Sequence, residues 1–190
     1  KEKLTPEVEA HLESQGVKMA GYDDVRKGIK EYAEYNILLD PNETNYTLSR
    51  LVDVQEVIRH KSPIPAMKAI KNEAEIRGYR SAMLKDGIAL VKFLRWLKPA
   101  VEAGGQTEIS IDKKLTSLRA EQPLFRDISF DTIAGYGAHG AIVHYEATPE
   151  TDIPLEPHGL LLLDSGAQYQ DGTTDITRTI ALGPVSDYEK

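Results

Sequence analysis

The sequence has no cysteine, so neither a disulfide framework, a thiolate metal site nor a thiol nucleophile is open to it. It has no apolar run approaching the roughly 20 residues that a bilayer demands, and no charged-then-apolar leader opens it. It also lacks a surplus of basic side chains. Its 23 Lys and Arg stand against 30 Asp and Glu, a net charge of −7. That balance argues against a nucleic-acid backbone or an anionic membrane as the main partner. What remains is an ordinary globular composition, 41% hydrophobic and 28% charged over 190 residues, enough for one domain or two small ones. The expected setting is the cytoplasm, and in that setting the Asn42-Glu43-Thr44 and Asn45-Tyr46-Thr47 triplets are chance matches to the glycosylation pattern. The chain starts at Lys1 in charged helical sequence and stops at Lys190 just after an expected strand, so we expect a piece of a longer protein.

Two textures divide the chain. Residues 1–62 read as short alternating elements. Thr5 and Pro6 have the cap and first-turn proline of a helix that ends near Gly16, and a second helical stretch runs from Tyr22 to Tyr35. "NILLD" (36–40) and "QEVI" (55–58) are short buried strands, with a helix between them over 45–52. "KSPIP" (61–65) reads as extended and marks a domain boundary. Past it, Asn72 and Glu75 make a capping-box start for a long helix whose face is Ile76, Tyr79, Met83, Leu90, Leu94 and Leu97, with Pro99 as its end. Thr107 caps a second helix with Ile111, Leu115 and Leu118 inward. From Ile128 onward "ISFDTIA", "AIVHY", "GLLLLDSGAQY" and "ITRTIAL" are strand-like. The expected fold is α+β, with an α/β region over 1–62 followed over 63–190 by helices packed on a mostly antiparallel sheet.

"GYGAHG" (135–140) has the letters of a dinucleotide-binding loop, but a pyrophosphate site needs a helix directly after the glycines, and the β-branched "AIVHY" follows instead. His144 lies in that stretch. It is either a half-buried histidine satisfied by one hydrogen bond or a proton donor or oxyanion-stabilising group facing a cleft. His11, His60, His139 and His158 read as surface residues. The aspartates after the leucine run carry more. Asp164 ends one strand and Asp175 begins the next; a turn centred near Tyr169-Gln170 would set them opposite each other, where two carboxylates repel unless a cation lies between them. A tight turn at Asp171-Gly172 would instead pair Asp164 with Thr179 and make no site. In both cases Asp171 is a turn residue.

"DSGAQYQDGTTDITRT", with "GAIVHY" twenty residues upstream of its first aspartate, resembles the active-site stretch of the Xaa-Pro aminopeptidases (aminopeptidase P) among the pita-bread metallopeptidases. "KSPIPAMKAIKNEAEIRGYRSAMLKDGIALVKFLRWL" and "GGQTEIS" resemble the two helices that open their catalytic domain, and residues 1–62 the last part of a preceding creatinase-like domain, as in the long three-domain form. The resemblance implies the first half of a pita-bread domain and a centre of two divalent metal ions, usually Mn²⁺. Asp164 and Asp175 match two of its metal ligands, and His144 matches the histidine that binds substrate and stabilises the transition state. It implies peptide substrates with proline second, a homodimeric parent, and a further histidine and two glutamates after Lys190, without which these 190 residues would be inactive. The loop "AGYGAHG" departs from the serine- and proline-containing loop common in such relatives. A prolidase or creatinase-like hydrolase, or a non-catalytic pita-bread binding module, would share the fold.

Overall fold

The computed structural model describes residues 4–32, 34–52 and 57–190, which group into two compact units, Lys1–Ile70 and Lys71–Lys190. In the first unit the Thr5 hydroxyl accepts the Val8 N–H at 3.3 Å and opens α1 (Pro6–Ser14), and Gly16, at φ +76°, lies just past its end. A 3₁₀ turn at Tyr22–Asp24 leads into α2 (Val25–Glu31). Strand β1 (Ile37–Leu39) pairs in parallel with β2 (Val57–Arg59), the short α3 (Tyr46–Ser49) lying between them in sequence. Parallel pairing across a helical connection is the α/β texture expected. Residues 55 and 56 of the expected second strand lie outside the described residues.

The proline pair behaves differently from the extended reading. Asp40 accepts the N–H groups of Ser62 and Asn42 at 2.9 and 3.0 Å, and these bonds, Ser62's first, hold its carboxyl below the usual carboxylate range. Beyond Ser62 the chain turns at once into α4 (Ile64–Ala69), with Pro65 in its first turn, where a missing N–H costs nothing.

The second unit opens with α5 (Glu73–Ala103), whose capping box is reciprocal: Asn72 Oδ1 accepts the Glu75 N–H at 2.9 Å and Glu75 accepts the Asn72 N–H at 2.8 Å. Pro99 does not end it. The helix continues to Ala103 because buried Leu97 and Val101 flank the proline and hold both sides of the missing hydrogen bond against the core. The buried line is Ala82, Ala89, Leu90, Phe93, Leu97 and Val101, whereas Ile76, Tyr79 and Met83 are 40–45% exposed. Thr107 caps α6 (Glu108–Ala120), with Ile111, Leu115 and Leu118 buried as expected.

Two antiparallel sheets complete the unit. β4 (Ile133–Tyr136), β5 (Leu160–Ser165) and β8 (Ile176–Ala181) form one, in the order β4-β5-β8. β3 (Phe125–Ile128), β6 (Ala167–Tyr169) and β7 (Gly172–Thr173) form the other, so "ISFDTIA" is two strands in different sheets. Leu161 and Leu163 pack with the α5 and α6 leucines in one core. β5–β6 and β7–β8 together are one bent hairpin, the bend falling at Gly166, where a Cβ would collide with the Thr174 carbonyl and the Ser129 hydroxyl. "AIVHY" is no strand. A 3₁₀ turn covers Gly137–Ala141, and residues 142–144 form a turn, because tertiary contacts of the flanking residues override β propensity there.

Candidate metal centre and the loop beside it

The hairpin keeps one register from its tip downward: Tyr169 pairs with Gly172, Gln168 with Thr173, Ser165 with Ile176, and Asp164 with Thr177. The turn is therefore Gln170-Asp171, midway between the two positions the composition allowed. Asp175 comes immediately before β8, two residues from the position opposite Asp164. The two carboxylates are diagonal neighbours, which in an antiparallel ladder means a separation of about 7–8 Å. Strand alternation carries Asp164 and Leu162 to the face away from Leu161 and Leu163, and extends to Asp175 through Thr177.

Asp164 is partly buried, and its Oδ1 is a buried oxygen without a hydrogen-bond partner. Nearly all such atoms are satisfied in folded proteins, so a bare carboxylate oxygen beside a second carboxylate fits a hard cation. Asp175 is exposed. Among the described residues no group of three or more His, Cys, Asp or Glu side chains is placed to hold a metal, so these two carboxylates stand without a third ligand beside them. Asp171 belongs to a different structure. Its carboxylate lies 2.6 and 2.8 Å from the Lys85 ammonium, which also sits 4.8 Å over the Tyr169 ring.

That hydrogen bond, before any other cause, holds Asp171 below the usual carboxylate range. A carboxyl depressed in the folded state contributes stability that is present above its unfolded-state value, near pH 4, and is lost as the pH falls through the folded one. The unfolding midpoint of the wild type is therefore expected to exceed that of Asp171→Asn at pH 6, with the gap closing below about pH 4. A gap that stays constant over that range would show that the pair contributes nothing through ionisation.

His144 is exposed, at φ +55°, a left-handed backbone that a non-glycine residue seldom adopts. The chain on either side of it converges on Glu108. This glutamate, at the head of α6, is fully buried and accepts the Tyr136 N–H at 2.8 Å, His139 Nδ1 at 3.0 Å and the Tyr145 hydroxyl at 2.7 Å. The His139 and Tyr145 rings lie 4.5 Å apart. Burial first, and the bond to Glu108 further, raise the Tyr145 phenol above its ordinary range. The surface reading of His139 is thus corrected: its side chain is 24% exposed and tied to a buried acid. Gly140 lets the loop fold back against Leu162, on the Asp164 face, a Cβ there meeting the Leu162 Cβ at 3.4 Å. Glu108 had given no sign of this role, since a glutamate in a first turn reads as a complement to the helix dipole.

Residues 77–190 match the profile of metallopeptidase family M24, and residues 1–75 that of the creatinase/prolidase N-terminal domain. The chain belongs to metallopeptidase family M24. Aminopeptidase P2 of Arabidopsis thaliana is 37% identical over 220 residues, an alignment that takes in 99% of this chain and 31% of that protein. The crystal structure of X-prolyl aminopeptidase from Caenorhabditis elegans, described as a cytosolic enzyme with a di-nuclear active site, superposes with a TM-score of 0.88 at 33% identity, covering 99% of this chain and 32% of that one. Xaa-Pro dipeptidase from Bacillus anthracis superposes at 0.70 with 26% identity, over 90% and 47% of the two chains. This M24 chain spans about a third of the length of the curated relatives it matches. Its fold is the expected α+β one, part of a pita-bread domain preceded by creatinase-type α/β structure. No helix among the described residues is long and apolar enough to cross a membrane.

Proposed function

We propose that this chain carries the first part of the active site of a dinuclear Xaa-Pro aminopeptidase, which in a protein of its relatives' length releases the N-terminal residue from peptides with proline second. The observation that carries the reading is the bare Asp164 oxygen diagonal to Asp175, at the end of a strand in an M24 fold. Divalent cations held between these carboxylates and further ligands, Mn²⁺ being suited to hard oxygen donors, would supply Lewis acidity and an activated water. Asp164 and Asp175 hold; His144 donates a hydrogen bond to the carbonyl oxygen as negative charge develops on it. Proline second explains the need for a dedicated enzyme, because the scissile bond has no N–H and a fixed φ. With two carboxylates only, the 190 residues by themselves are expected to be inactive. The whole protein is taken as a homodimer of the cytoplasm.

The test is turnover of Xaa-Pro-Yaa against Xaa-Ala-Yaa peptides by the Mn²⁺-loaded protein of full length. Equal rates would defeat the proline reading, and a preference for Xaa-Pro dipeptides would make it a prolidase. His144→Ala is expected to keep its metal and to lose about a hundred- to a thousandfold in turnover. Loss of metal along with the imidazole, by elemental analysis, would make His144 a ligand instead.

A further inference from the structure

Three groups of one short loop end on a single carboxylate. Tyr136 closes β4, His139 lies in the 3₁₀ turn, and Tyr145 follows His144; all three donate to Glu108, which is 0% exposed. Between the second and third of these donors the chain runs Gly140, Ala141, Ile142, Val143 and His144, exposed for most of its length, with Val143 83% and Ile142 51% exposed. His144, whose β-carbon disfavours a left-handed backbone, sits at the third position of a turn closed by the Tyr145 N–H on the Ile142 carbonyl at 3.3 Å. Such a residue persists only where its surroundings over-determine it. The surroundings here are that turn bond and, fixing both ends of the turn, Glu108 and its donors together with Thr151, whose hydroxyl lies 3.3 Å from that of Tyr145.

We propose that Glu108 is a positioning residue that pins the loop at Tyr136, His139 and Tyr145 and so sets the backbone from which His144 reaches the substrate. The proposal rests on the role given to His144 above. The geometry accounts for each member. A carboxylate without water needs several donors, and charge-assisted bonds are the strong ones. The pin has to be an acceptor only, since every partner approaches with an N–H or O–H, and for His139 this selects the tautomer with the proton on Nδ1. His139 Nδ1 is separated from Cα by two atoms, as is Nδ2 of an asparagine, so asparagine can make the same bond without the ring.

Four variants of the full-length protein test this: Glu108→Gln, Tyr145→Phe, His139→Ala and His139→Asn. The expected result is a fall in kcat of about tenfold to a hundredfold for Glu108→Gln and His139→Ala. KM for the Xaa-Pro peptide and the Mn²⁺ content should be nearly unchanged, and His139→Asn should return to within about threefold of wild type. In parallel, hydrogen–deuterium exchange on the 190-residue chain should quicken about tenfold in residues 137–145 of Glu108→Gln, with β5 unchanged. The proposal is overturned if His139→Ala and His139→Asn lose the same activity, if the losses follow metal content, or if loop exchange is the same in all variants. Absence of Xaa-Pro turnover in the wild type would remove the functional reading, and the exchange measurement would still decide whether the pin exists.

Discussion

Asp175→Asn, in a protein of the relatives' full length, is expected to lose its metal and with it all measurable Xaa-Pro cleavage, whereas Asp171→Asn, four residues earlier, keeps both. Proximity in sequence is no guide here. Asp171 is at the hairpin tip with its carboxylate on Lys85, while Asp175 begins the strand that runs beside Asp164. An amide at 175 replaces an anionic acceptor with a neutral group that presents a donor, and hard cations bind such a site poorly. The same substitution acts in the opposite sense on the metal-free chain. Two carboxylates on diagonal positions repel by about 1 kcal/mol at an intermediate dielectric, so Asp175→Asn should raise the unfolding midpoint of the metal-free form slightly. Elemental analysis, turnover and a denaturation curve on the same preparations separate these effects. Metal loss in Asp171→Asn with retention in Asp175→Asn would refute the assignment.

The parts of this fold that were legible in the sequence are those whose cause is local. The starts of α5 and α6 follow from Asn72 with Glu75 and from Thr107, because a cap is a contact between residues three apart. The hairpin register was less accessible. Composition offered two turns, and the structure uses Gln170-Asp171 between them, since the register is also constrained by the bend at Gly166 and by β3 pairing with β6. The β-branched residues before His144 point to a strand; the chain instead closes turns from Ile142 to His139 and from Tyr145 to Ile142, and its ends are tied to Glu108, 36 positions back from His144. Lys85, Asp86, Glu108 and Arg119 carry no mark of burial in the sequence. On an amphipathic helix a charged residue counts as solvent-facing, and a buried charge pair leaves no trace in hydrophobic periodicity. The same blindness put Ile76, Tyr79 and Met83 on the inner face of α5, when the inner face at that level is Ala82, Lys85 and Asp86.

Those charges carry the second large effect. Arg119→Ala and Asp86→Ala are each expected to destabilise the second unit by about 3–5 kcal/mol, because each leaves an unpaired charge in the interior. Both side chains are 0% exposed, joined through Nε to Oδ1 at 2.7 Å and Nη2 to Oδ2 at 3.1 Å, the two-pronged geometry in which guanidinium and carboxylate satisfy one another. Tyr169 adds its hydroxyl to Asp86 at 3.2 Å, and burial first, then the Asp86 charge, keep its phenol neutral far above the ordinary range. Tyr169→Phe should therefore cost only about 1 kcal/mol: the ring stays packed and Asp86 keeps its guanidinium. Replacing both charges together, Asp86→Leu with Arg119→Met, should recover most of what either alanine loses, since a well-packed apolar pair often equals a buried ion pair. Stability is not all that this pair supplies. Arg119 Nη1 also donates to the Gly166 carbonyl at 3.4 Å, at the bend that separates Asp164 from Asp175. The apolar double variant keeps the core filled and loses that bond, so it is expected to fold with near-native stability yet bind Mn²⁺ more weakly in the full-length protein. Denaturation midpoints for the four single and double variants, with a metal titration of the double, test both halves. Losses below about 1 kcal/mol in Arg119→Ala and Asp86→Ala would show that the pair is not buried as described, and a double variant with native metal affinity would remove Arg119 from the support of the site.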